Sequence, residues 1–294
     1  MPAHTADAIP HCNAPGTLRA SLAPEVTWPA SMLEADPLAA AASFDKAINA
    51  LARRLPPADA ARFLFALDSA VYARLGMAAI RAEGERGDGL HPKHRHTRYH
   101  DFFLERIRAG ERVADLGCGL GVLATAIAEH CRARVVGVDM NAANLAAARE
   151  HTALHGIAVD PAEGGPRGEA GSVAYVLADI LNVAVGKAVP GLSGAIDTIV
   201  LSNVLEHLPD RPCVLRHLVA RLGASRVLVR VPAFERDWRV PYKRELGVEW
   251  RLDPTHDIEH TREELTAEIE AAGLVIESMV QQWGEYFVVA KAGG

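Results

Sequence analysis

The sequence has few of the features that mark secreted, membrane-spanning or disulfide-stabilised proteins. Its 294 residues include only four cysteines, and no two of them form a CxxC pair. This pattern argues against a disulfide framework or a zinc knuckle, and free thiols are typical of a reducing compartment. The N-terminus has no basic segment followed by an apolar one, so we expect no secretory signal. No apolar run approaches the roughly 18 uncharged residues of a membrane span. We therefore predict a cytoplasmic protein.

An excess of positive charge is also missing. The formal net charge is −6, which argues against general affinity for nucleic acids or anionic membranes. Hydrophobic residues make up 49% of the chain, so we expect a large core rather than wholesale disorder. A chain of this length can form one large domain, or one domain with a helical extension.

Three segments follow one another along the chain. Residues 1–42 are rich in proline and alanine without a sustained period, and we predict a loose arm. Residues 43–110 hold two apolar stripes at helical spacing and then a histidine-rich run, which predicts a helical cover and a loop. In residues 111–294, short apolar strands alternate with helices, which is typical of a mostly parallel sheet with helices on both faces. Two closely spaced strands at the end predict an antiparallel hairpin at the sheet edge. Residues 159–171 are interpreted as a surface insertion.

A glycine-rich loop follows the first of these predicted strands. The segment from Val113 to Gly121 contains the pattern DxGxGxG, with Asp115 directly before the glycines. Glycines let the backbone turn tightly and approach a ligand that a Cβ atom would block. The dinucleotide fingerprint GxGxxG/A fails here, because its sixth position is Val122. The loop therefore predicts a different ligand, and Asp115 could hold an ammonium group on it.

Three further features stand in a fixed order behind this loop. Asp139 ends the second predicted strand, at a distance suited to a ribose-binding acid. Asp179 follows the third, and Ile196–His207 contains the fourth. From about Arg112 to its end, the chain resembles the class I, Rossmann-like methyltransferases that use S-adenosylmethionine (SAM). The resemblance implies an α/β fold with a Rossmann-like, mostly parallel sheet of seven strands, and SAM as the cofactor.

The resemblance also implies roles for individual residues. Asp115 would hold the amino-acid end of SAM, Asp139 the ribose hydroxyls, and Asp179 the adenine amino group. Two alternatives stay open, because Asp139 and Asp179 could each cap the helix that follows. Cys118 is interpreted as a bystander thiol in the loop. The full predicted cofactor set is Asp115, Gly117, Cys118, Gly119, Gly121, Asp139, Met140, Asp179, Ile180 and Asn203.

Two segments lie outside the general methyltransferase pattern and are candidates for the acceptor side. One is His91–His100, and the other is an insertion over residues 232–261, which follows the fifth strand and should overhang the cofactor. The predicted acceptor-binding residues are Tyr99, His100, Arg230, Arg236, Trp238 and Tyr242. The candidate catalytic residues are His256, His260 and His207, because an imidazole titrates near neutral pH. His207 also suits a cofactor-side or packing role.

A metal site is not predicted. His94, His96 and His100 could in principle join His256, Asp257 and His260 around a divalent ion. However, an HxH pair arises easily by chance in a chain with 13 histidines.

The predicted function is methyl transfer from SAM to a small metabolite or sugar. Oxygen is the expected acceptor atom, because several histidines could serve as a base. Transfer to nitrogen or to a thioether sulfur, and a non-catalytic SAM-binding regulatory subunit, stay open as alternatives. The segment Ser202–Leu205 lacks the Asn/Asp-Pro-Pro-aromatic pattern of enzymes that methylate base amino groups. We therefore expect a small-molecule or glycan partner, no nucleic acid and no membrane, and we leave a homodimer open.

Overall fold

The chain divides into two compact units, 1–55 and 56–294. The computed structural model describes residues 36–85, 91–160, 170–184, 192 and 196–293. The described part of the first unit contains one helix, α1 (Pro37–Ala52).

Helix α1 begins earlier than the sequence analysis predicts. The Asp36 carboxylate accepts hydrogen bonds from the backbone N–H groups of Leu38 and Ala39, and Pro37 occupies the first turn. Both features favour a helix start at this point. Residues 37–42 of the predicted loose arm are therefore helical, and residues 1–35 lie outside the described part.

The second unit begins with three helices and continues into the sheet domain. The first is α2 (Pro57–Gly84), and the shorter α3 (Lys93–Thr97) and α4 (Asp101–Leu104) come from the histidine-rich run and the residues after it. By length and composition alone, α2 could cross a membrane, with 28 residues and a mean hydropathy of 1.4 in its most apolar window, none of which is buried. Its sequence contains no long uncharged run, because Asp68 and Arg74 interrupt the apolar residues.

One sheet organises the second unit, and it has eight strands rather than the predicted seven. Their order is β3-β4-β2-β1-β5-β6-β8-β7; the first six strands run parallel, and the β6–β8 and β8–β7 pairs are antiparallel. The additional strand is β3, three residues at the sheet edge that overlap the start of the predicted surface insertion. Three residues are too few for a hydrophobic period to show. The strands are β1 (Arg112–Leu116), β2 (Arg134–Asp139), β3 (Ala158–Asp160), β4 (Ser172–Leu177), β5 (Thr198–Ser202), β6 (Arg226–Pro232), β7 (Leu274–Gln282) and β8 (Glu285–Ala292).

Helices cover both faces of this sheet. They are α5 (Val122–Cys131), α6 (Ala142–Leu154), α7 (Ile180–Ala184), α8 (Arg211–Leu222), α9 (Arg239–Glu245) and α10 (Arg262–Ala271), with 3₁₀ turns at Leu205–His207 and Phe234–Arg236. Successive β1 side chains belong to different cores, since Val113 packs in one cluster and Ala114 in the other. Strands buried on both faces are the reason that the sequence shows continuous apolar runs here. The carboxyl ends of the parallel strands meet at one edge, where ligands bind in sheets of this kind.

Candidate active site

The glycine loop between β1 and α5 has the backbone that its sequence predicts. Gly117, Gly119 and Gly121 have φ angles of +75°, +53° and +72°. A Cβ atom at Gly117 would lie 2.5 Å from Val204, and one at Gly121 would lie 2.3 Å from the Tyr175 hydroxyl. At Gly119 a Cβ atom would meet nothing within 4 Å. Two glycines are therefore required by packing, and Gly119 borders open space.

Strand β2 fixes the loop in place. The N–H groups of Gly117 and Cys118 donate to the Val138 carbonyl at 2.7 and 2.9 Å, and the Gly119 N–H donates to an Asp139 oxygen at 2.9 Å. The second Asp139 oxygen accepts from the Asn141 N–H at 2.8 Å. Asn141, rather than Asp139, is the N-cap of α6. Asp139 thus holds the loop and has no cap role of its own.

Asp115, in β1 directly before the glycine loop, is a buried acid. Its side chain is 2% exposed, and its Oδ2 atom has no hydrogen-bond partner among the described residues. Burial, and then the charge of Asp139, raise the pKa of Asp115 to about 7, although Arg230 opposes the shift. A buried carboxylate oxygen without a partner is costly, and a cation bound beside it removes that cost. The ammonium group of SAM fits this requirement.

The other residues of the predicted cofactor set differ in their surroundings. Burial, followed by the charges of Asp115 and Asp139, raises the pKa of the Cys118 thiol, so this residue stays protonated as expected of a bystander. Met140 is 75% exposed next to Asp139. Asp179 accepts a hydrogen bond from the Leu181 N–H at 2.9 Å, at the start of α7, where Ile180 is the first residue. This contact corresponds to the capping role that the sequence left open for Asp179. Its contact with the adenine amino group stays a prediction.

We expect Asp139→Ala to weaken SAM binding roughly ten- to a hundred-fold, because a charge-assisted hydrogen bond contributes about 1.5–3 kcal/mol. Asp139→Asn should lose less, because its amide oxygen can still accept from Gly119 or Asn141. Calorimetric titration with SAM measures both variants. Unchanged SAM affinity in the alanine variant would rule out the ribose assignment.

A second cluster forms around Arg230, near the carboxyl end of β6. Arg230 is 5% exposed; its Nε donates to the Asn203 side-chain oxygen at 3.1 Å and lies 3.4 Å from Glu285. One of its terminal nitrogens has no hydrogen-bond partner among the described residues. The guanidinium carbon lies 3.7 Å from the centroid of the Tyr99 ring. The histidine-rich segment is therefore packed against the end of the sheet where the cofactor loop lies.

His100 is held in its neutral form by these surroundings. Burial, followed by the charges of His94 and Arg230, lowers the pKa of His100 to about 3. Its ring packs edge-on against Tyr99 at a centroid distance of 4.5 Å. The Tyr99 hydroxyl in turn lies 2.7 Å from His94 Nδ1. The predicted acceptor residues Tyr99, His100 and Arg230 thus lie together, near Asn203 of the predicted cofactor set.

A third cluster joins Glu206, His207 and His256. One ligand atom from each can be chosen so that all three lie within 4.8 Å of one another. Glu206 is fully buried, and neither of its carboxylate oxygens has a hydrogen-bond partner among the described residues. Burial raises the pKa of Glu206 to about 7, against smaller opposing contributions. The His207 and His256 rings pack edge-on with centroids 4.6 Å apart.

His260, the third candidate catalytic residue, lies in the packing of the fold. His260 is fully buried, and its Nε2 lies 2.9 Å from Glu268 of α10, which also binds Arg211. The structure thus places His260 in the packing of α10, whereas His256 lies with Glu206 and His207. Glu206 is not among the residues predicted from the sequence, because a single acid after a strand gives no signal of burial.

Two aromatic residues of the insertion contact the helical cover. Trp238 and Tyr242 stack on each other, and Phe65 of α2 contacts both rings at centroid distances of 6.4 and 5.7 Å. Arg236 pairs with the buried carboxylate of Glu259. Arg236 is therefore committed to an internal ion pair. Trp238 is 71% exposed and keeps a surface for binding.

A family model and several curated proteins that match this chain are methyltransferases. The family model described as a methyltransferase domain matches residues 91–279, which is more than half of the chain. The ubiquinone biosynthesis O-methyltransferase of Pseudomonas aeruginosa (strain UCBPP-PA14) is 31% identical over 119 residues, covering 40% of this chain and 43% of that protein. The ribosomal protein L11 methyltransferase of Thiobacillus denitrificans is 36% identical over 137 residues, 44% of each chain. The chain thus spans less than half the length of these curated relatives.

One solved structure supports the fold, and a second match is weaker. The methyltransferase in complex with the Haloferax volcanii Trm112 methyltransferase activator matches with a TM-score of 0.50 at 16% identity, covering 74% of this chain and 97% of that one. The magnesium protoporphyrin IX methyltransferase of Synechocystis PCC 6803, with bound S-adenosylhomocysteine, matches with a TM-score of 0.49 at 18% identity, covering 67% and 84%.

The chain belongs to the methyltransferase domain family. Its eight-stranded sheet and glycine loop define it as a class I, SAM-dependent methyltransferase with the Rossmann-like fold that the sequence predicts.

Proposed function

We propose that this methyltransferase transfers the methyl group of SAM to an oxygen atom of a small metabolite or sugar in the cytoplasm. The observation that carries the proposal is the Glu206–His207–His256 cluster, whose buried carboxylate has no partner among the described residues. Glu206 and His207 of this cluster follow β5, which lies beside β1 in the sheet. Val204, two residues before Glu206, is also the residue that a Cβ atom at Gly117 would strike. This arrangement supports a single site that contains both the cluster and the cofactor loop.

Different residues of this chain would bind SAM, remove the proton of the acceptor and position the acceptor. Asp115 and Asp139 would hold SAM, which when bound supplies a methyl group whose bond to sulfur breaks with the electron pair left on sulfur. The acceptor oxygen contributes the electron pair of the new carbon–oxygen bond, and its hydroxyl group must lose a proton. Glu206, His207 and His256 would draw that proton away from the oxygen. Arg230 and Tyr99 would position the acceptor.

The relatives support oxygen as the acceptor atom, since the first of them is an O-methyltransferase. The second relative acts on a ribosomal protein by its name, and the alternatives of nitrogen and sulfur are therefore included in the test. Purified protein is incubated with SAM and separate panels of phenols, sugars, amines and thioethers, and release of S-adenosylhomocysteine is measured. We expect turnover with a hydroxyl-bearing acceptor. SAM binding without turnover on any panel would support the regulatory alternative instead.

His256→Ala should reduce the turnover number at least roughly a hundred-fold, the typical contribution of a group that moves a proton. SAM affinity should stay within about twofold, because transition-state contacts are lost and cofactor contacts are kept. His130→Ala is the matched control, since His130 is an exposed histidine on α5. Steady-state kinetics and SAM titration measure all three proteins. A His256→Ala variant with normal turnover would refute the role assigned to the cluster.

A further inference from the structure

We propose that Glu206, His207 and His256 bind one divalent transition-metal cation. The three residues offer two imidazole nitrogens and one carboxylate oxygen, with ligand atoms within 4.8 Å of one another. Two histidines and one carboxylate form a common donor set for Zn²⁺ and Fe²⁺ sites in enzymes. The sequence predicts no metal, because an HxH pair arises easily by chance among 13 histidines and Glu206 is not among the candidate ligands that it suggests.

Each imidazole of the cluster has a hydrogen-bond partner at Nδ1, as metal-bound histidines usually do. His256 Nδ1 lies 3.0 Å from a Glu259 carboxylate oxygen, and His207 Nδ1 lies 3.2 Å from the Thr255 carbonyl oxygen. Each ring can therefore donate its Nδ1–H outward and keep Nε2 as an acceptor. A metal-bound histidine almost always makes such a second hydrogen bond to a carboxylate or a backbone carbonyl, which fixes its tautomer.

Glu206 supplies the second, independent observation. Its side chain is 0% exposed, and both carboxylate oxygens lack a hydrogen-bond partner among the described residues. His256 Nε2 lies 4.0 Å from Glu206 Oε1, too far for a hydrogen bond. Ligands bound to one ion at about 2.0–2.2 Å lie roughly 3–4 Å from each other. The spacing therefore suits an ion between the two groups better than direct contact.

The backbone holds the two halves of this cluster together. The Glu206 carbonyl oxygen accepts a hydrogen bond from the Asp257 N–H at 2.8 Å. Asp253 accepts from the Thr255 N–H at 2.8 Å and thereby fixes the turn that presents Thr255 to His207. A preformed site of this kind binds a cation without reorganising the loop.

The cation would leave coordination positions open, because only three protein groups bind it. An acceptor hydroxyl bound at an open position would lose its proton more readily, as a metal-bound water does. This role in catalysis rests on the proposed function, whereas metal binding itself does not. The acceptors that fit best carry an oxygen able to bind a metal, such as a catechol or a vicinal diol.

Metal binding is measured on the full chain, without a histidine tag, after removal of metal with a chelator. We expect Co²⁺, Mn²⁺ or Zn²⁺ to bind at one equivalent, and Co²⁺ to show the visible absorption of a mixed nitrogen and oxygen site. Glu206→Gln and His256→Ala should each weaken binding at least roughly ten- to a hundred-fold, and His130→Ala should leave it unchanged. Circular dichroism checks that each variant is folded. If no cation saturates the wild-type protein, or if the folded variants bind as tightly as it does, the proposal is wrong.

The two proposals fail in different ways. One equivalent of bound Co²⁺ in a protein that methylates no acceptor would keep the metal site and overturn the proposed function. Full turnover of the chelated protein would keep the proposed function and overturn the catalytic role of the metal. If added Mn²⁺ or Zn²⁺ restores the turnover of the chelated wild-type protein but not that of Glu206→Gln, both proposals are supported.

Discussion

Gly119→Val is expected to abolish SAM binding while the chain stays folded. Gly119 has a φ angle of +53°, and a Cβ atom there would point into open space rather than into the protein. That space borders Asp139 and is where we place the cofactor. A branched side chain would fill it, and its left-handed backbone costs about 1–2 kcal/mol, which a domain of this size can tolerate.

The matched control is Gly156→Val. Gly156 has a φ angle of +70° and also has nothing within 4 Å of its Cβ position, but it follows α6, away from the glycine loop. Both variants should therefore lose similar amounts of stability, and only Gly119→Val should lose SAM affinity. Thermal unfolding and calorimetric titration with SAM measure the two effects. If a folded Gly119→Val protein binds SAM normally, the loop does not have the assigned function.

The cofactor side of the site was predictable because its signals are local. The pattern DxGxGxG places three glycines directly after a buried strand, and the backbone conformation of this loop follows from those few residues. Asp139 was predictable for the same reason, since it is the last residue of β2. The carboxyl ends of parallel strands meet at one edge of the sheet, so sequence order alone brings Asp115 and Asp139 together.

The acceptor side was predictable only in part. The sequence indicates that His91–His100 and the insertion matter, and the structure packs Tyr99 of the first segment against Arg230. The sequence could not show that Glu206 is buried without a partner, because burial depends on residues far along the chain. Nor could it separate His256 from His260, which are four residues apart but contact Glu259 and Glu268 respectively.

Glu259 holds the acceptor-side insertion together, although no sequence pattern marks it. Its carboxylate is fully buried, pairs with Arg236 and accepts from the Leu252 N–H as well as from His256. Burial acts to raise the pKa of Glu259, but the hydrogen bonds from His256 and the Leu252 N–H, together with Arg236, hold it below its ordinary value. One side chain therefore connects three separate points of the insertion.

We expect Glu259→Ala to lower the free energy of unfolding by about 3–5 kcal/mol, the usual cost of removing one partner of a buried ion pair. The loss arises because Arg236 is left with an uncompensated charge in an interior position, its side chain being 12% exposed. Glu249→Ala is the control within the same insertion; Glu249 pairs with Arg251, but its side chain is 41% exposed. An exposed pair contributes at most about 1 kcal/mol, so this variant should unfold almost as the wild-type protein does. Urea unfolding followed by circular dichroism measures both, and equal losses in the two variants would show that Glu259 does not hold the insertion.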